Sequence, residues 1–261
     1  MRIFTVDCFT DRPFAGGPAG VCVLDSGWPA TERLQQVAAE VMLPATAFVR
    51  RAQPRTELRW FSPQAELILC GSGTLAAAHI LWECSDGADH TLNFDTCAGV
   101  LGARQEQGRR ITLDFPADSP RPVPVPPMLP APLGVTPLEV ARGRLDLLVE
   151  LDCAQTVRKL APDLTALATL DARGVIVTAD GEIGSDFVSR FFAPAVGIDE
   201  DPVTASAHCT LGAYWSKRLR KKRLTGVQVS ARGGRIEVYL RNGRVDLTGQ
   251  AVTITRGELA I

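Results

Sequence analysis

A chain of 261 residues can hold one large domain or two small ones, and its 46% hydrophobic and 22% charged residues exclude disorder and collagen-like repetition. Twenty-eight Lys and Arg against 29 Asp and Glu leave a net charge of −1, so no global field draws nucleic acid or an anionic membrane to it. No apolar run approaches the ~20 residues needed to span a bilayer.

The opening Met1–Asp7 meets acid at once, which argues against a signal peptide, and the odd, scattered cysteines predict reduced thiols in the cytoplasm. β-Branched and aromatic residues punctuated by Gly, Pro or Asp predict strands at 2–7 and 20–24. Leu34, Val37, Ala38 and Val41 recur at helical spacing and predict a helix over 31–42, ended before Pro44. Further strands are predicted at 46–50, 57–61, 92–96, 100–104 and 111–115. Eight prolines then fall within the 17 residues from Pro116 to Pro132. Proline fixes φ and lacks an amide donor, so 116–132 reads as a semi-rigid linker between a half at 1–115 and a half at 133–250. The second half carries predicted strands at 145–151, 174–178, 186–192, 227–230, 235–240 and 245–248, with helices at 154–160, 163–170 and 206–219. A last strand at 252–255, within the tail 251–261, is expected to pack back on the first half.

The two halves echo one another. Trp60-Phe61-Ser62-Pro63 precedes Cys70-Gly71-Ser72-Gly73, and Phe191-Phe192-Ala193-Pro194 precedes Thr204-Ala205-Ser206-Ala207, at nearly equal offsets (191 − 60 = 131; 204 − 70 = 134). In both copies a strand turns at proline and leads into a helix with small opening residues. Two similar α+β halves with helix starts facing across a cleft are therefore predicted.

A helix start offers unpaired amides and a partial positive charge, which suit a carboxylate or phosphate. Gly71, Ser72 and Gly73 form one such anion cradle, and Thr204, Ala205 and Ser206 the other. Cys70, at a helix N-terminus, is the best placed of seven cysteines for a reactive thiol. Asp201 is either a helix cap or a cleft carboxylate suited to proton transfer. His208 is either a proton shuttle or a core residue. The scattered cysteines, lacking any CxxC pair, predict reduced thiols and no structural metal. The basic run Lys217–Arg223 reads as a solvated helix end.

These motifs resemble those of the phenazine-biosynthesis isomerase (PhzF-like) family, which shares its fold with diaminopimelate epimerase and the proline racemases. The resemblance rests on Asp7-x-Phe9-Thr10-x-x-Pro13-Phe14-x-Gly16-x-Pro18, on Leu58–Pro63 leading to Cys70-Gly71, and on Ser189–Pro194 with Glu200-Asp201-Pro202-Val203-Thr204-x-Ser206-Ala207-His208. It implies an α+β fold of two pseudo-symmetric β-roll halves, each around a central helix, with the active site in the cleft between them and a homodimer as the assembly. It also implies cofactor-independent acid–base chemistry on a small carboxylate metabolite. The family's proton-transferring glutamate falls at Ala45, its histidine at Ser72 and a glycine at Ala205. The resemblance thus leaves Asp201 and Cys70 as the catalytic candidates and Gly71, Ser72, Gly73, Thr204, Ala205 and Ser206 as the binding set. The reading is an isomerase or epimerase-like enzyme. The alternatives are a one-base dehydratase using Cys70, with Thr204 opposite it, and a catalytically silent carboxylate-binding homologue.

Overall fold

A computed structural model describes residues 1–51, 56–85 and 90–260. The chain forms two compact units: Met1–Phe115 with Thr248–Ile261, and Pro116–Leu247.

The first unit contains β1 (Arg2–Cys8), β2 (Gly17–Leu24), α1 (Thr31–Val41), β3 (Thr46–Arg51), β4 (Thr56–Phe61), β5 (Glu66–Leu67), α2 (Gly71–Glu83), β6 (Thr91–Thr96), β7 (Gly99–Glu106) and β8, which runs to the boundary (Arg110–Pro116). The second contains β9 (Arg121–Pro122), α3 (Pro130–Leu133), β10 (Glu139–Arg142), β11 (Leu147–Glu150), α4 (Ala154–Lys159), α5 (Leu164–Leu167), β12 (Val175–Asp180), β13 (Phe187–Phe192), α6 (Ala205–Leu219), β14 (Arg223–Gln228), β15 (Gly234–Leu240) and β16, which leaves the unit at its end (Arg244–Gly249). The last strand, β17 (Ala251–Glu258), pairs antiparallel with β1.

The units share one ladder pattern. In the first, β1/β2 is antiparallel, β2/β3 parallel, β3/β4 antiparallel, β4/β6 parallel and β6/β7 antiparallel. In the second, β10/β11, β11/β12, β12/β13, β13/β14 and β14/β15 repeat that order. One long helix enters each pattern at the same step: α2 between β4 and β6, α6 between β13 and β14. A parallel pair needs a crossover, and here the crossover helix is the centre of the unit. α2 buries residues on every side, including Leu75, Ala76, Ala77, Ala78, Ile80 and Leu81, and packs on β1, β2, β3 and β17. α6 is buried from Ala207 through Trp215 and packs on β14 and β15. A helix apolar all round must be enclosed, and the small residues let the strands approach closely. The fold is thus the α+β, diaminopimelate epimerase-like class with two pseudo-symmetric halves.

The Pro-rich stretch is not a free connector. Arg121–Pro122 pairs with β10, the Val123 amide donates to the Val140 carbonyl, and Leu129 is fully buried in the core of the second unit. Proline excludes helix interior and central strand, but an edge strand and a helix start tolerate it, and both occur here. The helix predicted over 31–42 ends one residue early because Met42 caps it in the left-handed region (φ 56°). The predicted 227–230 strand starts at Arg223 instead, on the last residue of the basic run, in which Arg218 pairs with Glu139 and Glu150 and Lys221 with Asp186.

The opening motif is architectural. Asp7, buried, accepts the Phe14 amide at 2.7 Å and pins the turn between β1 and β2. Gly16, at φ 68°, closes that turn where any Cβ would sit 2.2 Å from the Cys8 carbonyl oxygen.

Candidate active site

Of the predicted site residues, Cys70, Gly71, Ser72 and Gly73 lie together at the start of α2. Cys70 is the N-cap, in extended conformation, and its Sγ accepts the Gly73 amide at 3.3 Å. Its Sγ also lies 3.5 Å from the Ser72 hydroxyl, while the Cys8 thiol donates to the Ser72 carbonyl at 3.3 Å. Cys70 is 9% exposed, and Ser72 is the half-open residue of this group. Gly73 leaves room for the Trp60 indole, since a Cβ there would meet Trp60 Cδ1 at 2.7 Å.

Asp201, Thr204, Ala205 and Ser206 lie together at the start of α6. The N-cap is Thr204, not Asp201, so the capping role considered for Asp201 is corrected. Asp201 sits three residues earlier and accepts the Thr204 hydroxyl on Oδ2 at 2.7 Å. Its neighbour Glu200 is held elsewhere, paired with both Nε (2.7 Å) and Nη2 (2.9 Å) of Arg190. Of the acids Asp199, Glu200 and Asp201, the last is therefore the one directed at the helix start. Burial disfavours its charge and pushes its pKa up to about 6, against the opposing pull of the Thr204 hydroxyl, the Val203 amide and the Arg173 cation. The residue keeps part of its surface open.

Three residues complete this site that sequence reasoning missed. Gln228, at the end of β14 and 1% exposed, accepts the Thr204 amide at 2.9 Å and donates to the Asp201 carbonyl at 2.6 Å, clamping the loop on both sides. Arg173 donates from Nη2 to the Ser206 hydroxyl oxygen at 3.0 Å. Asp146, 2% exposed, holds that guanidinium with bonds of 2.8 and 2.5 Å. Asp146 did leave a signal: it is a lone acid in the apolar run Leu145–Val149, and buried acids are rare unless paired.

His208 is a core residue. Its Nδ1 lies 2.8 Å from the Thr204 carbonyl four residues back, so Nδ1 carries the proton, and burial pushes its pKa down to about 4. A neutral ring with a bare, enclosed Nε2 moves no protons with solvent.

Comparison with known proteins decides what this frame belongs to. The model of the family described as phenazine biosynthesis-like protein (PhzC-PhzF) matches residues 6–257. A Pseudomonas aeruginosa protein named as an uncharacterized isomerase is 47% identical over 261 residues, covering all of this chain and 99% of that protein. The crystal structure of a PhzF-family protein from Enterococcus faecalis matches with a TM-score of 0.94 and 40% identity, over 100% of this chain and 99% of that one. The chain belongs to the phenazine biosynthesis-like family. It is an isomerase in kind. A probable proline racemase from Agrobacterium radiobacter, 12% identical with a TM-score of 0.70 over 100% of this chain and 93% of that one, shares the fold alone.

Within this phenazine biosynthesis-like chain, Ala45 is the residue that the motif resemblance sets against the family's glutamate. It is 3% exposed, just before β3, and its carbonyl accepts the Gly20 amide at 2.8 Å. A methyl group there transfers no proton, so any proton chemistry falls to other side chains.

Proposed function

We propose that this isomerase moves a proton on a small carboxylate metabolite, with Asp201 as the base and the start of α6 as the carboxylate anchor. The observation that carries the reading is Asp201 itself: partly open, fixed by Thr204 and Gln228, and poised at about 6 beside a helix start. A base must be ionised near the working pH, rigidly held and still basic enough to take a proton from carbon. A surface aspartate is too acidic for that, and a fully enclosed one is unreachable. The amides that open α6 and the Ser206 hydroxyl supply donors for the carboxylate, and the helix end supplies partial positive charge. Ala205, buried where the motif resemblance sets a glycine, narrows this anchor by one methyl group.

A second reading uses Cys70. Its Sγ accepts an amide at the start of α2, the arrangement that favours a thiolate, and a one-base dehydratase needs one thiol. Incubation of the protein with amino acids, hydroxyprolines and cyclohexadiene carboxylates in deuterated water separates the readings. Label entering one compound and lost in Asp201→Asn supports the isomerase. Label lost only in Cys70→Ala supports the dehydratase branch. Binding without exchange of any compound leaves a silent carboxylate binder and overturns both.

A further inference from the structure

We propose that Arg173, clamped by buried Asp146, is a positioning residue that fixes the Ser206 hydroxyl as a hydrogen-bond donor, making the α6 start select an ionised carboxylate over its carboxamide. The inference rests on the reading of Ser206 as a ligand-binding residue.

The argument begins with the chemistry of the guanidinium. It carries five N–H donors and no lone pair, so in the 3.0 Å contact with Arg173 Nη2 the serine oxygen can only accept. The one proton of Ser206 must then point elsewhere. A serine in a helix's first turn is otherwise free to rotate and to donate to nearby carbonyls. With the rotor set, Ser206 offers a donor. An ionised carboxylate, all acceptor, complements it in either orientation. A carboxamide meets that donor only through its carbonyl oxygen, so one of its two orientations sets an NH₂ against the serine proton, and it lacks the charge that the helix end favours.

The clamp is rigid for reasons visible in the backbone. The Arg173 amide donates to the Leu145 carbonyl at 2.9 Å, and the Leu147 amide to the Gly174 carbonyl at 3.0 Å, so the backbone brackets Asp146 opposite Arg173. The guanidinium lies 5.4 Å from the Phe191 ring centroid. That approach requires Gly174, whose Cβ would stand 2.5 Å from Phe191 Cζ. Arg173 keeps 25% of its side chain exposed, so the clamp borders accessible space. Asp146 offsets much of Arg173's charge at close range, leaving the residual pull that Asp201 feels. Hydroxyl orientation, more than long-range attraction, is what it contributes.

Benzoate and benzamide, titrated by calorimetry, test this. The wild type should prefer benzoate by tenfold or more. Replacing the pair together, Arg173→Met with Asp146→Leu, leaves neither an unpaired buried charge nor a donor to the serine and should lower benzoate affinity about tenfold while hardly moving benzamide. Ser206→Ala should do the same, and combining it with the pair replacement should add no further loss. Additive losses, or benzoate affinity unchanged by the pair replacement, would overturn the proposal. Arg173→Lys, which keeps the charge and a donor but not the fork, should retain part of the preference, and a full loss of folding in both variants is answered by a direct observation. Neutron diffraction from unliganded wild-type crystals should show the Ser206 deuteron directed away from Arg173 into open space. A deuteron on a backbone carbonyl would overturn the proposal even if neither probe binds. Absence of binding with the deuteron as expected would instead count against the anchor in the proposed function alone.

Discussion

At the scale of single residues, Asp201 distinguishes a working carboxylate from a structural one. A helix cap stabilises its fold by about 0.5–2 kcal/mol, so removing it costs stability. Asp201 is the opposite case: its folded pKa, about 6, lies above its ordinary 3.8, so at pH 7 the fold holds a charge it would rather neutralise. Asp201→Asn is therefore expected to raise stability at pH 7 by about 1–2 kcal/mol, after screening at a partly open site, while lowering exchange by about two to four orders of magnitude. Denaturant titration together with deuterium incorporation reads both, and a variant that loses both would return Asp201 to a structural role. The pH dependence carries a second expectation. The base form grows as pH rises, so exchange should climb through about 6 and level off above it. Thr204→Val removes the hydroxyl that holds the pKa down and should shift that limb to higher pH. A limb that stays in place would mean another group titrates.

At the scale of elements, the helix starts and most strands were legible because they rest on local signals: β-branched runs, small residues after an aromatic strand, prolines at ends. Cys70 at the cap of α2 and Ser206 in the first turn of α6 follow from such signals. The Arg173–Asp146 clamp was not legible, because its partners lie 27 residues apart and meet only through the parallel register of β11 on β12. Gln228 was missed similarly, being placed by the parallel pairing of β14 on β13. The proline stretch misled because proline excludes helix interiors and central strands but does not exclude packing. Gly174 ties local sequence to that long-range clamp. Gly174→Ala drives a Cβ into Phe191 and should cost about 1–3 kcal/mol as an overpacking change. It should also lengthen the Arg173–Ser206 contact, visible in a crystal structure of the variant. If stability and contact were both unchanged, the packing at Phe191 would be looser than described.

At the scale of the whole molecule, one ladder pattern built twice has diverged in chemistry at its matched helix starts. Cys70 caps one helix through its thiol, whereas Thr204 opens the other and turns its hydroxyl to Asp201. Around the second of these helix starts, two displaced titrations have opposite consequences. Asp201, raised from 3.8 to about 6, binds its proton more tightly when folded, so its contribution to stability is lost as pH rises from about 4 to 6. His208, lowered from 6.5 to about 4, is held neutral by burial, so its contribution is lost as pH falls from 6.5 to about 4. His208 is worth up to about 3 kcal/mol, at about 1.4 kcal/mol per pKa unit, and the partly open Asp201 about 1–2 kcal/mol after screening, so over most of this range the two slopes oppose one another and largely cancel. The wild type should then show little change in unfolding free energy from these groups between pH 4.5 and 6. Asp201→Asn removes one slope and should leave a protein that weakens steadily as pH falls through that range. His208→Asn keeps a donor for the Thr204 carbonyl while removing the titration, and should leave a protein that strengthens over the same interval. Urea unfolding of the three proteins at pH 4.5, 5.2 and 6.0 measures the slopes directly. Three parallel curves would show that neither group is displaced by its surroundings, and would withdraw the electrostatic support for Asp201 as the base.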